Sequence, residues 1–159
     1  MPLYHINRID GTIIADVEAD TFGSALSIAV KQGTNLTRAD LTGADLTGVN
    51  LTGANLIRAN LTGVNLIDAN LTGANLTGVN LIRANMIRVN MIRANLIDAN
   101  LTHANLTGAN LIDANLTGVN LTDADLTRAN LIDAKLTDVN LTDVNLTDAD
   151  LTDAKMPID

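Results

Sequence analysis

The chain has 159 residues, a net charge of −8 and an apolar content of 47%. This length suits one domain with one continuous core, and the apolar content excludes a disordered acidic tail. With one Phe, one Tyr and no Trp, the core must be built from aliphatic side chains. The absence of Cys excludes disulfide bonds and thiolate metal sites, and the negative charge argues against direct nucleic-acid binding.

Residues 1–33 differ from the rest of the chain and are predicted to form a small N-terminal α/β cap. Residues 3–7 and 12–17 have the composition of two strands around a turn at Asp10 and Gly11. A helix is predicted to follow, beginning after Asp20 or Thr21 and running to about Gln32. Because a solenoid must hide the apolar end of its stack, we expect this hairpin and helix to cover that end.

From residue 34 to residue 158 the sequence divides into 25 consecutive pentads without an insertion. Most pentads have Ala or Val first, Asn or Asp second, Leu third, Thr or Ile fourth, and Gly, Arg or Asp fifth. The third position departs from Leu only at Met86, Met91 and Met156. A period of five fits neither an α-helix nor a flat strand, but it fits a chain that turns a corner every five residues.

Four such pentads close a square coil of about 20 residues, and coils stack about 4.8 Å apart. The first and third positions are predicted to point inward, and the other three to face water. Residues 34–153 then form six coils in a rod about 30 Å long, stabilised by contacts between neighbouring coils. Every third-position side chain from Leu36 to Leu151 should be buried. Stacked second-position Asn side chains should form amide ladders. Pentads ending in Gly should favour type II corners, whereas pentads ending in Arg or Asp should more often use another turn.

The repeated pattern of Ala, Asn or Asp, Leu and two variable residues resembles that of the pentapeptide-repeat proteins. The resemblance covers residues 34–159 and implies an all-β solenoid, a right-handed quadrilateral β-helix. Some members of that family have Phe at the central position, whereas this chain has none there. The strict regularity fits either a recent repeat expansion or a consensus design.

Charge is distributed unevenly along the repeats. Residues 34–113 have five Arg and five Asp, whereas residues 114–159 have nine Asp against Arg128, Lys135 and Lys155. In the last full coil one carboxylate is predicted on each of the four faces, an arrangement called the acidic ring here (Asp138, Asp143, Asp148 and Asp153). Three successive faces of an earlier coil bear the arginine belt (Arg83, Arg88 and Arg93). Both are candidate interaction surfaces, although such blocks are usually only solvated surface.

A third candidate surface is the isoleucine stripe (Ile92, Ile112 and Ile132), which the repeat aligns on one outward face. A contiguous apolar stripe on a surface is a weak indication of an interface. His103 is expected between Arg83 and Asp123, as a surface histidine beside a carboxylate rather than a metal ligand. Asp113, Asp133 and Asp153 stack on one face and could hold a hard cation, although a solvated acidic face is favoured. We therefore expect no catalytic, metal-binding or cofactor-binding residues.

Three classes of function can be weighed against these observations. The first is a non-catalytic scaffold or protein-interaction rod whose partner is unknown. The second is implied by the resemblance: some family members are DNA-like acidic rods that bind DNA gyrase and related topoisomerases and protect against quinolones. Residues 34–158 carry 13 Asp against 8 Lys and Arg, whereas about 30 Å of duplex DNA carries roughly 18 negative charges. The third, an enzyme, is disfavoured because a uniform rod offers no concave pocket.

Location and self-association are also predicted. The sequence opens with no secretory leader and has no apolar run long enough to span a membrane, so a cytoplasmic location is expected. Only Met156 and Ile158 are available to cover the last coil. A homodimer stacked tail to tail through that coil would cover it.

Overall fold

A computed structural model describes residues 1–157, and the predicted contribution of Ile158 lies outside the described residues. The chain begins with an antiparallel hairpin of β1 (Leu3–Asn7) and β2 (Ile13–Glu18), followed by helix α1 (Phe22–Lys31). Strand β1 has its predicted bounds, and β2 begins one residue later than predicted. The hairpin register shifts between Ile6 and Asn7, beside the turn.

Helix α1 is capped by Thr21, one of the two residues that the sequence indicates for this role. The Thr21 side chain accepts a hydrogen bond from the Ser24 backbone N–H at 3.0 Å, which satisfies one of the free donors of the first turn. Lys31 lies in the last turn, where a cation is favoured by the helix dipole. The chain leaves the helix through Gly33, whose φ of +78° is accessible to glycine without strain.

The repeats stack as coils of twenty residues. Each bridge from Asp40–Asn60 to Lys135–Lys155 is parallel and joins residues twenty positions apart. Between coils, third-position N–H groups donate to the next coil, as Leu36 does to the Asn55 carbonyl at 3.0 Å. Second-position N–H groups donate to the previous coil, as Asn60 does to the Ala39 carbonyl at 2.9 Å. These bonds hold each inner coil from both sides.

The rod has one aliphatic core, which extends into the N-terminal segment. Third-position side chains from Leu36 to Leu136 are at most 2% exposed, Met86 and Met91 included. Helix α1 adds Leu26 to the same cluster and the hairpin adds Ile6, so the first coil is covered. The prediction of burial as far as Leu151 is wrong in the last coil. There Leu141, Leu146 and Leu151 are only partly buried, because no described element lies over them.

The prediction that Gly corners would differ from the others is wrong. Each corner is closed by a bond such as that from the Ala39 N–H to the Leu36 carbonyl, at 2.9 Å. Fifth-position glycines have φ between 63° and 69°, and the other fifth-position residues between 53° and 60°. The stack therefore imposes one left-handed corner conformation on every residue type, at a cost of about 1–2 kcal/mol for a residue with a Cβ.

The predicted ladder of stacked Asn amides is also wrong. Apart from Asn85, whose Oδ1 has no partner among the described residues, the second-position Asn and Asp oxygens instead accept bonds from the fourth position of their own pentad. The Thr72 backbone N–H donates to Asn70 Oδ1 at 3.0 Å and the Thr72 hydroxyl at 2.7 Å. Several bonds between coils run from amide to hydroxyl, as from Asn60 Nδ2 to Thr42 Oγ1 at 2.8 Å. A direct bond between second-position side chains joins Asn65 Nδ2 to the Asp45 carboxylate at 3.4 Å. The polar side chains thus stabilise each corner more than they join the coils, because local acceptors compete successfully for them.

Candidate functional site

The acidic ring lies on the four corners of the last coil. All four of its carboxylates are exposed. They project outward because the fifth position of each pentad is a left-handed corner, with φ between 54° and 57° here. Asp148 lies 3.8 Å from Arg128, and in residues 1–157 the other three carboxylates have no cation within ion-pair distance. The ring therefore leaves most of its charge available to a partner.

The arginine belt is largely neutralised by carboxylates of neighbouring coils. Arg88 binds Asp68 with two hydrogen bonds, Nε to Oδ1 at 2.7 Å and Nη2 to Oδ2 at 2.6 Å. The hydrogen bonds from Arg88 lower the pKa of Asp68, and those same bonds raise the pKa of Arg88. Arg93 lies 3.5 Å from Asp113, while Arg83 makes no ion pair with any described residue. One Arg of the belt therefore remains for a partner.

The isoleucine stripe is less exposed than predicted. Ile92, Ile112 and Ile132 are each partly buried. Their backbone N–H groups donate to the second-position Asn of their own pentads, as Ile92 does to Asn90 at 3.2 Å. The stripe consequently offers only part of its apolar area to a partner.

The titratable columns do not converge on a point. His103 Nδ1 lies 3.5 Å from the Asp123 carboxylate, as its position in the repeat predicts. Asp113, Asp133 and Asp153 follow one another along one edge of the rod. Within residues 1–157, no group of three or more His, Cys, Asp or Glu side chains is arranged to hold a metal ion. The geometry thus gives these residues no shared ligand.

The open end of the last coil combines apolar and backbone features. The N–H groups of Leu141, Leu146 and Leu151 have no backbone partner in the described part of the chain. In every inner coil the corresponding N–H groups are bonded, as Leu121 is to the Asn140 carbonyl at 3.0 Å. The same three leucines are partly exposed. This end is therefore an unpaired sheet edge around an apolar centre.

A groove at the other end was missed by the sequence analysis. It lies between helix α1 and the edge of the first coil, and its largest part has a volume of about 560 Å³. Ser24 and Ser27 line it from the helix, and Gly48, Val49 and Asn50 from the coil. The sequence signal was available: the first coil has no pentad twenty residues earlier, so its lower edge needs another partner. Where the helix would lie could not be read from the pattern.

Asp45 lines one end of this groove. The hydroxyl and the backbone N–H of Thr47 donate to its carboxylate at 2.6 and 3.1 Å. These bonds lower the pKa of Asp45, the hydroxyl contributing most, so the carboxylate is ionised at neutral pH. Lys31 lies farther along, where a second space of about 440 Å³ continues the groove past Ser27 and Asn50.

In the described part of the chain, no helix is both long and apolar enough to cross a membrane.

Comparison with known proteins identifies the repeats. The family model described as "Pentapeptide repeats (8 copies)" matches residues 32–66, 65–102, 94–131 and 124–156. No curated protein sequence matches the chain.

Among solved structures, the chain is similar to the pentapeptide repeat protein Rfr23 of the cyanobacterium Cyanothece 51142. The identity is 30%, over 74% of this chain and 90% of that one, with a TM-score of 0.42. A pentapeptide repeat protein of the Arabidopsis thaliana thylakoid lumen is also 30% identical, over 76% and 68%, with a TM-score of 0.45. QnrB1, a plasmid-mediated fluoroquinolone resistance protein, is 19% identical over 74% and 77%, with a TM-score of 0.32. Since all three TM-scores are low, the family model is the informative match.

Proposed function

The chain belongs to the pentapeptide repeat family, and on that basis we propose that it is a non-catalytic rod that binds another protein. We further propose that its coils wind as a right-handed quadrilateral β-helix. Parallel strands joined by a crossover are almost always connected with right-handed chirality, which supports this winding.

One observation carries the proposal: the inside of the rod is uniform, and the outside is not. The inward positions repeat Leu with Ala or Val, and they fill a continuous core from Leu36 to Leu136. Only the outward positions change in charge from coil to coil. Information that distinguishes partners must therefore reside in the outer columns and the two ends, which is how a binding rod is built.

The acidic ring is the outer feature best suited to binding. Its four carboxylates are exposed, and only Asp148 has a described cation nearby. The rod is neutral over residues 34–113 and acidic beyond them, so its field is concentrated at one end. A basic protein surface complements such a field, and the attraction would increase the rate of association.

A pull-down from source lysate with the full chain as bait, followed by mass spectrometry, tests this proposal. The test variant carries Asp138→Asn, Asp143→Asn, Asp148→Asn and Asp153→Asn. The matched control loses four fifth-position carboxylates from the middle of the rod, through Asp68→Asn, Asp98→Asn, Asp113→Asn and Asp123→Asn. We expect a basic partner that the control retains, that the test variant loses, and that rising salt releases. Equal capture by both variants would contradict a role for the ring.

The second candidate is a DNA-mimicking binder of DNA gyrase, and the acidic C-terminal third is the observation that favours it. The charge density opposes it, because residues 34–158 carry 13 Asp against 8 Lys and Arg and DNA of the same length carries roughly 18 charges. A gyrase supercoiling assay with micromolar purified chain decides between the candidates. Inhibition that disappears with the four ring substitutions would support the mimic, and unchanged supercoiling would exclude it.

A further inference from the structure

The first coil already accepts an added strand on one part of its lower edge. The Asp40 N–H donates to the Asn7 carbonyl at 2.8 Å, and the Ile9 N–H donates to the Arg38 carbonyl at 2.9 Å. Arg8 lies opposite Ala39 in an antiparallel bridge. Residues 7–9 therefore pair with residues 38–40 as a short antiparallel strand, which takes the place of the missing lower coil.

The same edge is unpaired two corners farther along. Asn50 occupies the pentad position of Asp40, but its N–H has no hydrogen-bond partner in residues 1–157. One coil higher, the equivalent N–H of Asn70 donates to the Val49 carbonyl at 2.9 Å. Gly48 likewise corresponds to Arg38, and its carbonyl accepts no described bond. Residues 48–50 thus repeat the donor and acceptor that residues 38–40 use, without the strand.

The space beside this free edge has the dimensions of a peptide. The groove follows α1, whose ten residues span about 15 Å, the length of four to five residues of strand. Two of the side chains that line it from the helix, Ser24 and Ser27, are small, so a backbone can approach the edge beside them, and the larger Ile28 lines the same groove. At Gly23 the helix comes close to the coil, where a Cβ would lie 3.8 Å from the Asp45 carbonyl oxygen and 3.9 Å from the Val49 side chain.

We propose that residues 48–50 are a β-augmentation site that binds an extended peptide segment of a partner protein. The peptide pairs antiparallel to the edge, as residues 7–9 do with residues 38–40. It accepts a hydrogen bond from the Asn50 N–H and donates one to the Gly48 carbonyl. The charges at the two ends of the groove determine which peptide sequences bind. An antiparallel peptide has its N-terminal end near Lys31, which favours an acidic residue there, and its C-terminal end near Asp45, which favours a basic one.

This site goes beyond the acidic ring, and the two can fail separately because they lie at opposite ends of the rod. The probe for it is a library of linear heptapeptides displayed on phage, selected on the immobilised full-length chain. The enriched peptide is then synthesised, and its binding is measured by fluorescence anisotropy and by hydrogen exchange of the Asn50 amide. We expect enriched sequences with an acidic residue before a basic one, and slower exchange at Asn50 when the peptide is bound.

Two pairs of variants separate the backbone contact from the side chains. Asn50→Pro removes the free N–H without breaking a described backbone bond, and Asn50→Ala keeps that N–H. Both lose the bonds that Thr52 donates to the Asn50 side chain at 3.1 and 2.7 Å. Loss of one hydrogen bond should weaken binding about threefold to tenfold in the Pro variant relative to Ala. Ser27→Phe fills the groove and should abolish binding, whereas Thr102→Phe, which introduces the same side chain on a distant coil, should not.

Three outcomes would overturn the proposal. The first is the absence of any peptide enriched on the natural chain over Ser27→Phe. The second is a peptide that binds equally to Asn50→Pro and Asn50→Ala, or that protects amides elsewhere on the rod. The third is protection of the Asn50 amide by self-association without peptide, which would make a second copy of the chain the occupant.

Discussion

Replacement of Leu96 by Ala should be among the most damaging single changes in the rod. Leu96 is 0% exposed, and its own N–H is bonded to the Asn115 carbonyl at 2.8 Å. Coils bonded from both sides cannot collapse into the space that the side chain leaves. The cost therefore combines the lost apolar burial with a persistent cavity, and should fall in the upper part of the usual range, about 3–5 kcal/mol.

Leu146→Ala is the matched control. Leu146 occupies the same pentad position, but it is partly exposed and its N–H has no backbone partner in the described chain. A space there opens to water and leaves no enclosed cavity, so only part of the transfer free energy is lost, about 1–2 kcal/mol. The free energy of unfolding of each variant is measured by urea titration of the full chain, with slopes compared to verify that the transitions match. A loss under about half a kcal/mol at Leu96, or equal losses at both positions, would refute the assignment of an enclosed core.

Three further predictions concern the strain at the left-handed corners, the stability of the rod at low pH and the self-association of the chain. Arg83→Gly should stabilise the rod by about 0.5–1 kcal/mol, because the strain that glycine removes from the left-handed corner at φ 56° exceeds the extra entropy that glycine loses on folding. Arg83→Val should lower the free energy of unfolding in the same urea titration. The opposite order of the two variants would contradict a strained corner. Hydrogen bonds from the Thr127 hydroxyl and backbone N–H lower the pKa of Asp125, so its stabilising contribution is present above the ordinary carboxyl pKa and is lost as pH falls below about 4. The melting temperature of Asp125→Asn should therefore fall less than that of the natural chain between about pH 6 and about pH 3. An equal fall in both proteins would contradict this contribution of Asp125. Light scattering should show a tail-to-tail dimer of the 159-residue chain that strengthens with ionic strength, because salt screens the repulsion between the two acidic rings. A monomer at every salt concentration, or a dimer that survives deletion of residues 134–159, would contradict this dimer.

Most of this fold can be predicted from the sequence, because the five-residue period determines which side chains face the core and which residues pair between coils. The position of Leu in each pentad is enough to assign the core, and the bridges twenty residues apart follow from four pentads to a coil. The cap of α1, predicted at Asp20 or Thr21, also follows from local chemistry, since the Thr21 hydroxyl accepts the Ser24 N–H. These features depend on contacts that every repeat makes in the same way.

The predictions that failed depend on competition between contacts. Gly and Asp corners adopt the same backbone because the bonds above and below each coil outweigh the preference of a single residue. The Asn side chains bind the Thr of their own pentad and not the Asn of the neighbouring coil, because the local partner is closer. The groove at Asn50 depends on where α1 packs, and no periodicity specifies that placement.

The central claim is that each twenty residues advance the rod by one coil. The chain has no native Cys, so spin labels can be placed in pairs through Arg38→Cys with Asp138→Cys and Arg58→Cys with Asp138→Cys. All three positions already have a side chain at a left-handed corner. Double electron–electron resonance should give about 24 Å for the first pair and about 19 Å for the second, a difference of one coil. A difference near 30 Å, which twenty residues of α-helix would give, or no change between the pairs, would contradict the stacked rod.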